Sequence, residues 1–298
     1  MWQTERKETM KDGIFIQKGD LIIFNDKHML YCGDATQKES YSFMDGENVA
    51  MCFTSPPYNV GRNNCENVGD KVKENGKYQT RESDIKNDNE YMDLIDKSLN
   101  YSLDHCEYVF YNIAHLSGNK ISLIEWLNKN RYKFVDTMIW KKATSLPALE
   151  PRVLNTDFEY VYIFTNKENN GRHIKIGPEF QGTKSNVFEI KRNTQNRFSQ
   201  IHSALMPMDL CDYIITNFTN ENDIVLDCFS GLGTNMISCN NNNRYYRGIE
   251  LEPFDCQETI KRFIDSCSDY DIQIIRNGEI IPFDDFKEYI LENSNQLF

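Results

Sequence analysis

The sequence lacks a long apolar run and paired cysteines, and each absence excludes a class of protein. No stretch of the 298 residues approaches the roughly 20 apolar residues that a membrane-spanning helix needs. The polar start, residues 1–7, is not typical of a signal peptide. Nine cysteines are scattered without a CxxC pair, which argues against a zinc ribbon or a disulfide framework and favours reduced thiols. We therefore expect a cytoplasmic protein with no membrane partner and no metal.

Positive charge is also scarce, because 33 Lys and Arg residues stand against 45 Asp and Glu residues, a formal charge of −12. Such a surface binds nucleic acid poorly as a whole, so a nucleic-acid partner would require a local basic patch. The 18 Phe, 16 Tyr and 3 Trp residues exclude disorder of the whole chain. The length suits two small domains or one larger α/β unit.

Apolar runs and helical periodicities alternate along most of the chain. The predicted strands are 48–54, 107–113, 133–140, 158–165, 223–229 and 246–250, and the predicted helices are 90–103, 119–130, 232–239 and 254–267. Strands that alternate with helices imply crossover connections and a mostly parallel sheet covered on both faces. Two hairpins are expected as well, one around Gly19-Asp20 and one around Asn277-Gly278, a pair typical of a type I′ turn.

Two stretches interrupt the alternation. Residues 61–89 have almost no large apolar groups and predict a mobile loop, either a solvated surface loop or a functional lid. Residues 166–200 are glycine-rich and carry seven basic against three acidic residues, a balance of +4 in an acidic protein. This second stretch is either a solvated face or the basic patch that DNA would require. Its basic residues are Lys167, Arg172, Lys175, Lys184, Lys191, Arg192 and Arg197.

A glycine-bearing turn follows the predicted strand at 223–229, in the run Asp227-Cys228-Phe229-Ser230-Gly231-Leu232-Gly233-Thr234. Glycines at a strand-to-helix turn let the backbone approach a ligand, and the helix N-terminus offers N–H groups to an anion. Met236 replaces the third glycine of a dinucleotide fingerprint, which weakens that interpretation. Glu250 ends the next predicted strand and can accept both hydroxyls of a ribose. A ligand with a ribose and a small carboxylate fits this pattern, and S-adenosylmethionine has both groups. The alternative interpretation is a tight strand-to-helix turn and a surface Glu without a ligand.

The second motif, Ser55-Pro56-Pro57-Tyr58, follows the predicted strand at 48–54. Two prolines fix φ and remove two N–H donors, so a rigid carbonyl and the Ser55 hydroxyl can form an acceptor pair for an amino group. Tyr58 offers a flat face for a base. The alternative is a cis-proline turn that caps a strand.

Together the two motifs resemble the amino-group DNA methyltransferases, which methylate cytosine N4 or adenine N6 with S-adenosylmethionine. Their order along the chain is similar to the β group, in which the sheet is circularly permuted. The resemblance implies an α/β Rossmann-like methyltransferase sheet, mostly parallel and doubly wound, with a small irregular target-recognition insert. The implied division is a catalytic half at 1–165, the insert at 166–200, a cofactor-binding half at 201–270 and a C-terminal hairpin and helix at 271–298.

The resemblance also implies roles for individual residues. The catalytic candidates are Ser55, Pro56, Pro57 and Tyr58. The cofactor-binding candidates are Asp34, His202, Asp227, Phe229, Gly231, Gly233, Thr234 and Glu250. The DNA-binding candidates are Arg172, Lys175, Lys184, Lys191, Arg192 and Arg197; the arginines suit guanine and the lysines suit phosphates. The serine form of the tetrapeptide favours cytosine over adenine.

Double-stranded DNA is the expected partner, and the sequence leaves open whether a cognate restriction endonuclease or a second copy of the chain (a homodimer) is a partner as well. An RNA or protein methyltransferase and a non-catalytic nucleic-acid module remain alternatives, as does a nicotinamide dehydrogenase. The missing third glycine speaks against the dehydrogenase, and the chain order of the two motifs speaks against the RNA and protein enzymes.

Overall fold

A computed structural model describes residues 14–59, 86–146, 151–168, 171–191 and 205–292. The strands of these residues are β1 (Leu21–Phe24), β2 (His28–Cys32), β3 (Val49–Thr54), β4 (Cys106–Ile113), β5 (Phe134–Leu146), β6 (Thr156–Thr165), β7 (Val187–Ile190), β8 (Ile224–Asp227), β9 (Tyr245–Glu250), β10 (Ile272–Arg276) and β11 (Glu279–Pro282). The α-helices are α1 (Asp88–His105), α2 (Lys120–Lys129), α3 (Met208–Phe218), α4 (Thr234–Asn241), α5 (Pro253–Ser266) and α6 (Lys287–Glu292). Short 3₁₀ helices cover Lys38–Met44 and Phe283–Asp285.

All of these strands belong to one sheet, in the order β11-β10-β1-β2-β9-β8-β3-β4-β6-β5-β7. The five central strands, from β2 to β4, pair in parallel. Antiparallel pairs flank them on both sides, through β1 with β10 and β11, and through β6 between β4 and β5. The predicted parallel sheet is therefore confirmed at its centre, and the complete sheet is mixed.

Helices cover both faces of the sheet, which confirms the doubly wound architecture. Neighbouring residues of β3 point to opposite faces: Phe53 packs in a core with α3, α4, α5 and α6, and Cys52 packs in a second core with α1 and α2. Both side chains are fully buried. Apolar residues fill successive positions of the central strands because each strand has a core on either side.

The chain leaves two adjacent central strands toward opposite faces. After β8 it enters α4, which packs in the core containing Phe53, whereas after β3 it reaches α1, which packs in the core containing Cys52. Two strands whose connections diverge in this way leave a crevice beyond their carboxyl ends, and such crevices are where open α/β sheets bind ligands.

The sequence-based prediction was wrong in three places. The first hairpin turns at residues 25–27, where Asn25 and Asp26 both have positive φ, and not at Gly19-Asp20. The segment 166–200 is not wholly irregular, because β7 lies within it and pairs in parallel with β5. Helix α3 was not predicted. The second hairpin is confirmed, with φ of 53° at Asn277 and 81° at Gly278.

None of the helices in the described ranges combines the length and the apolar character that a membrane span requires. The eight cysteines of these ranges are all free thiols. Most of the loop predicted at 61–89 lies outside the described residues.

Candidate active site

The two sequence motifs meet at the carboxyl ends of β3 and β8, which are neighbours in the sheet. Thr54, the last residue of β3, donates its hydroxyl hydrogen to Asp227 Oδ1 over 2.7 Å, and Asp227 is the last residue of β8. Asn235 in α4 donates to Asp227 Oδ2 over 2.8 Å and to the Phe53 carbonyl over 2.9 Å. These hydrogen bonds hold the beginning of the tetrapeptide against the beginning of the glycine turn.

Asp227 is itself buried, with 2% of its surface exposed. Burial raises the pKa of its carboxyl group to about 6, although hydrogen bonds from Thr54, Asn235 and the Phe229 amide partly offset that rise. Its two carboxylate oxygens accept these three hydrogen bonds from the protein. The geometry therefore gives this predicted cofactor residue a different task, which is to join the two motifs.

The two glycines of the turn have positive φ for different reasons. Gly231 has a φ of 52°, and a Cβ built on it would meet nothing within 4 Å. Gly233 has a φ of 69°, and its Cβ would lie 2.6 Å from the Thr259 side chain in α5. Gly233 thus lets α4 begin close to α5, whereas Gly231 leaves open space above the turn. Thr234 is buried beside them and accepts a hydrogen bond from Arg262.

Glu250 lies at the end of β9, directly beside this turn. Its Oε2 accepts the Gly231 amide over 2.7 Å, and its Oε1 accepts the Glu252 amide over 2.9 Å. These bonds fix the orientation of the carboxylate. Asp34 follows β2, the next strand of the sheet, and its Oδ1 accepts the Thr36 amide over 2.8 Å. The acidic candidates therefore lie in a row along one edge of the sheet.

Two side chains from outside the tetrapeptide hold its backbone carbonyls in place. Tyr91 in α1 donates to the Pro57 carbonyl over 3.0 Å, and the Asn119 side chain donates to the Tyr58 carbonyl over 2.9 Å. No hydrogen-bond donor within the described ranges is directed at the Pro56 carbonyl. The described residues contain no cis peptide bond, so the alternative of a cis-proline turn is wrong.

The hydroxyl of Tyr58 contacts residues that the sequence did not identify. It donates to Glu159 Oε2 over 2.6 Å and lies 3.4 Å from Asn112 Oδ1 and 3.3 Å from Ser55 Oγ. Burial, together with the negative charge of Glu159, raises the pKa of the tyrosine far above its usual range. Glu159 Oε1 lies 2.7 Å from the ammonium of Lys142, which is buried as well. The sequence does hold one indication of this pair, because each of the two charged residues stands in line with buried apolar residues at alternate positions of its strand.

Three of the predicted DNA-binding residues lie away from this edge of the sheet. Arg172 forms a bidentate salt bridge with Asp136, the third residue of β5. The main-chain amide of Lys175 bonds to Tyr108, the third residue of β4, and Lys184 bonds to Asn217 at the end of α3. These contacts place all three cations toward the amino ends of the strands.

Lys191 follows β7, which runs parallel to β5, and it is exposed beyond the carboxyl end of that strand. It is therefore the described DNA-binding candidate nearest to the edge that holds Ser55. Arg192, Arg197 and His202 lie outside the described residues.

Comparison with known proteins extends this picture. The model of a family described as DNA methylase, N6_N4_Mtase, matches residues 49–261. The orphan methyltransferase M.BamHII of Bacillus amyloliquefaciens is 30% identical, over 43% of this chain and 63% of the relative. The type II methyltransferase M.BamHI of the same organism is 24% identical, over 83% of this chain and 60% of the relative. The chain thus spans less than two thirds of the length of these curated relatives.

Two solved structures share the fold. One is the PvuII DNA methyltransferase, described as cytosine-N4-specific, with a TM-score of 0.59, 16% identity and coverage of 89% of this chain and 92% of that chain. The other is a complex of M1.HpyAVI with S-adenosylmethionine, with a TM-score of 0.54, 22% identity and coverage of 79% and 98%. At these identities the likeness concerns the fold, and it confirms the Rossmann-like α/β sheet.

Proposed function

From the premise that this chain belongs to the DNA methylase family, whose model matches residues 49–261, we propose that it is a site-specific DNA methyltransferase. It transfers a methyl group from S-adenosylmethionine to the exocyclic N4 amine of a cytosine in double-stranded DNA, in a restriction-modification setting. The observation that carries the proposal is the junction of the two motifs through Thr54 and Asp227, since it brings an amine-binding hydroxyl and a cofactor-sized turn together.

The residues of the turn fit S-adenosylmethionine. The open space at Gly231 admits the methionine part, and the fixed carboxylate of Glu250 suits the two ribose hydroxyls. Asp34 lies farther along the same edge, on the side expected for the adenine. Phe229, Gly233 and Thr234 shape the turn, and His202 remains a predicted contact. The cofactor supplies an electrophilic methyl group on a sulfonium, and the acidic groups around it favour that positive charge.

The tetrapeptide prepares the amine of the base. An amine inside a duplex is out of reach, so the target base must be flipped out of the stack. The Ser55 hydroxyl oxygen and the Pro56 carbonyl accept its two hydrogens, which draws the nitrogen toward sp³ geometry and frees its lone pair. The ring of Tyr58 packs against the flipped base. Alignment and hydrogen bonding supply the rate acceleration, and no cysteine nucleophile is required.

Cytosine is the proposed base because the serine form of the tetrapeptide resembles that of cytosine-N4 enzymes. An adenine-N6 enzyme of the same family is the second candidate, since either base presents the same kind of amine to Ser55. The distinguishing test incubates the protein with labelled S-adenosylmethionine and mixed-sequence duplex DNA, and then separates the nucleosides of the digest. N4-methylcytosine supports the proposal, N6-methyladenine favours the second candidate, and a digest whose nucleosides carry no label contradicts both.

Ser55→Ala tests the mechanism within the same assay. We expect methyl transfer to slow by about 10²–10³-fold, roughly 2.7–4 kcal/mol, with cofactor binding unchanged, because one transition-state hydrogen bond is lost. Ser42→Ala is the matched control, since Ser42 is an exposed serine on a 3₁₀ helix. A rate near that of the wild type in Ser55→Ala would remove the hydroxyl from the mechanism.

The larger organisation is part of the same proposal. β3 precedes β8 in the chain but lies beside it in the sheet, which supports a circularly permuted arrangement with a catalytic half at 1–165 and a cofactor half at 201–270. Residues 166–200 form the target-recognition insert, and 271–298 add a hairpin and helix at the opposite end of the sheet. A cognate restriction endonuclease, a homodimer and a cytoplasmic location stay predictions, and ultracentrifugation with and without DNA tests the dimer.

A further inference from the structure

A buried ion pair lies behind the tetrapeptide, and the mechanism above makes no use of it. Lys142 in β5 and Glu159 in β6 are 2% and 10% exposed in their side chains, and their charged atoms are 2.7 Å apart. Taking two charges out of water is costly, and an apolar pair of similar volume is often at least as stable. Stability of the fold therefore does not require a charged pair at this position. The pair is better explained by the group to which Glu159 is hydrogen-bonded.

That group is the Tyr58 hydroxyl, and the direction of its hydrogen bonds is determined by its neighbours. Glu159 Oε2, at 2.6 Å, accepts the one hydrogen bond that the tyrosine hydroxyl can donate. The Asn112 side chain presents its oxygen to Tyr58 as well, because its amide nitrogen donates to the Tyr160 carbonyl over 3.0 Å. With carboxylate and amide oxygens on one side, the tyrosine oxygen can only accept from its remaining neighbour, the Ser55 hydroxyl at 3.3 Å.

We propose that Glu159 is a positioning residue for methyl transfer, acting through Tyr58 on the hydroxyl of Ser55. Because the proton of Ser55 is directed to Tyr58, the lone pairs of Ser55 Oγ face away from it and remain available to the hydrogens of the target amine. Without that restraint the hydroxyl could rotate and present its own hydrogen to the amine. The inference rests on the proposed function, since it concerns the same reacting amine.

Lys142 completes the arrangement by holding the carboxylate of Glu159 in place from the far side. The strand register supports this role, because Glu159 pairs directly with Trp140 in the antiparallel ladder, and Lys142, two residues farther along β5 on the same face, is its diagonal neighbour. The carboxylate therefore accepts the hydrogen bond of the tyrosine at one oxygen and faces the ammonium with the other. The raised pKa of Tyr58 agrees, since it keeps the phenol protonated at every pH of interest.

The test measures methyl transfer in single turnover, so that product release does not hide the chemical step. The main variant replaces the whole pair, Lys142→Met with Glu159→Leu, so that no unpaired charge stays buried. We expect the transfer rate to fall by roughly 10²-fold, the size of effect that misplacing a reacting group produces. Affinities for DNA and for S-adenosylmethionine are expected to stay within about twofold, a split that general destabilisation would not give.

Tyr58→Phe removes the hydroxyl but keeps the ring, and it completes a double-mutant cycle. We expect the same loss of rate, and no further loss when Tyr58→Phe is combined with the paired replacement, because both changes break one chain of hydrogen bonds. Glu159→Gln keeps an acceptor oxygen for Tyr58, so we expect it to retain more activity than the paired replacement. Glu107→Gln is the matched control, because Glu107 pairs with Lys167 at the amino end of β4 and is exposed.

A paired replacement that transfers methyl groups within threefold of the wild-type rate would overturn the proposal, and so would losses that add in the combined variant. Thermal unfolding shows whether each variant is folded. If the paired replacement does not fold, the cycle of Glu159→Gln with Tyr58→Phe decides by the same criterion of additivity. Failure of the proposed function is distinguishable, because in that case the wild-type chain itself methylates no DNA.

Discussion

The edge formed by the carboxyl ends of β2, β9, β8 and β3 differs from the basic segment at 171–191 in how its charged groups are held. At the edge, Glu250 and Asp227 are buried and accept backbone and side-chain hydrogen bonds from β3, from α4 and from the turn between β8 and α4. In the basic segment, the cations are exposed or half-buried and bond to groups on other elements, as Arg172 does to Asp136. Hydrogen bonds to buried carboxylates thus fix the first region, whereas the charged groups of the second region are positioned by the elements on which the segment packs.

The difference shows that a count of charges does not locate a binding surface. The balance of +4 in residues 166–200 is a property of the sequence, but those of its cations that lie in the described residues are divided between the two ends of the sheet. Arg172, Lys175 and Lys184 lie near the strand beginnings because Ile174 and Ile176, between them, pack against the core that contains Phe53. Only after β7 returns the chain to the carboxyl ends does Lys191 approach the Ser55 edge.

The largest effect is expected for Gly231→Val, which should abolish binding of S-adenosylmethionine. A branched side chain would fill the open space above the turn, and it would also strain a φ of 52°. Gly182→Val in the basic segment is the matched control, since Gly182 has a φ of 67° and equally open surroundings. Isothermal titration calorimetry measures the affinity of each variant for S-adenosylmethionine. Equal affinities in both folded variants would place the cofactor elsewhere.

A smaller effect is expected from the protonation of Asp227. Its folded pKa of about 6 lies above the ordinary value of 3.8, so the folded state binds the proton more tightly than the unfolded state does. The resulting stabilisation is fully present below about pH 3.8 and is lost as the pH rises through 6. It amounts to about 3 kcal/mol at most, at 1.36 kcal/mol per pKa unit.

Asp227→Asn isolates this contribution. The free energy of unfolding of the wild type minus that of the variant is expected to rise as the pH falls from 7 to 4.5, because only the wild type can take up the proton. Urea unfolding at several pH values measures the difference, and titrations common to both proteins cancel. A difference that stays constant over this range would show that burial does not shift the carboxyl group.

The smallest effects are expected for the lysines, and they separate the two regions directly. Lys191→Gln should weaken binding to any duplex and lower the slope of log affinity against log salt by about 1, the loss of one phosphate contact. Lys175→Gln combined with Lys184→Gln should leave both quantities unchanged, because these side chains lie near the strand beginnings. Larger losses in the double variant than in Lys191→Gln would place the DNA across the other end of the sheet.

Much of the fold could be predicted because its elements have local causes. The hairpin at Asn277-Gly278 follows from two residues that tolerate positive φ, and α1 lies within two residues of its predicted bounds, with a capping box at Asn87 and Glu90. β7 and the antiparallel position of β6 could not be predicted in this way, since a strand's partners depend on the rest of the sheet. The first hairpin was misplaced because Gly19-Asp20 also forms a turn, one that leads into β1.

The sequence by itself determined the chemistry of the site, because a run of prolines or glycines restricts its own backbone wherever it lies. Ser55 to Tyr58 and the turn at Gly231 carry their conformations in their residue types. The tertiary structure alone decided which distant groups serve them. Glu159 is 101 positions from Tyr58, and it reaches the hydroxyl only because β6 lies antiparallel to β4 at a register set by packing on both faces of the sheet.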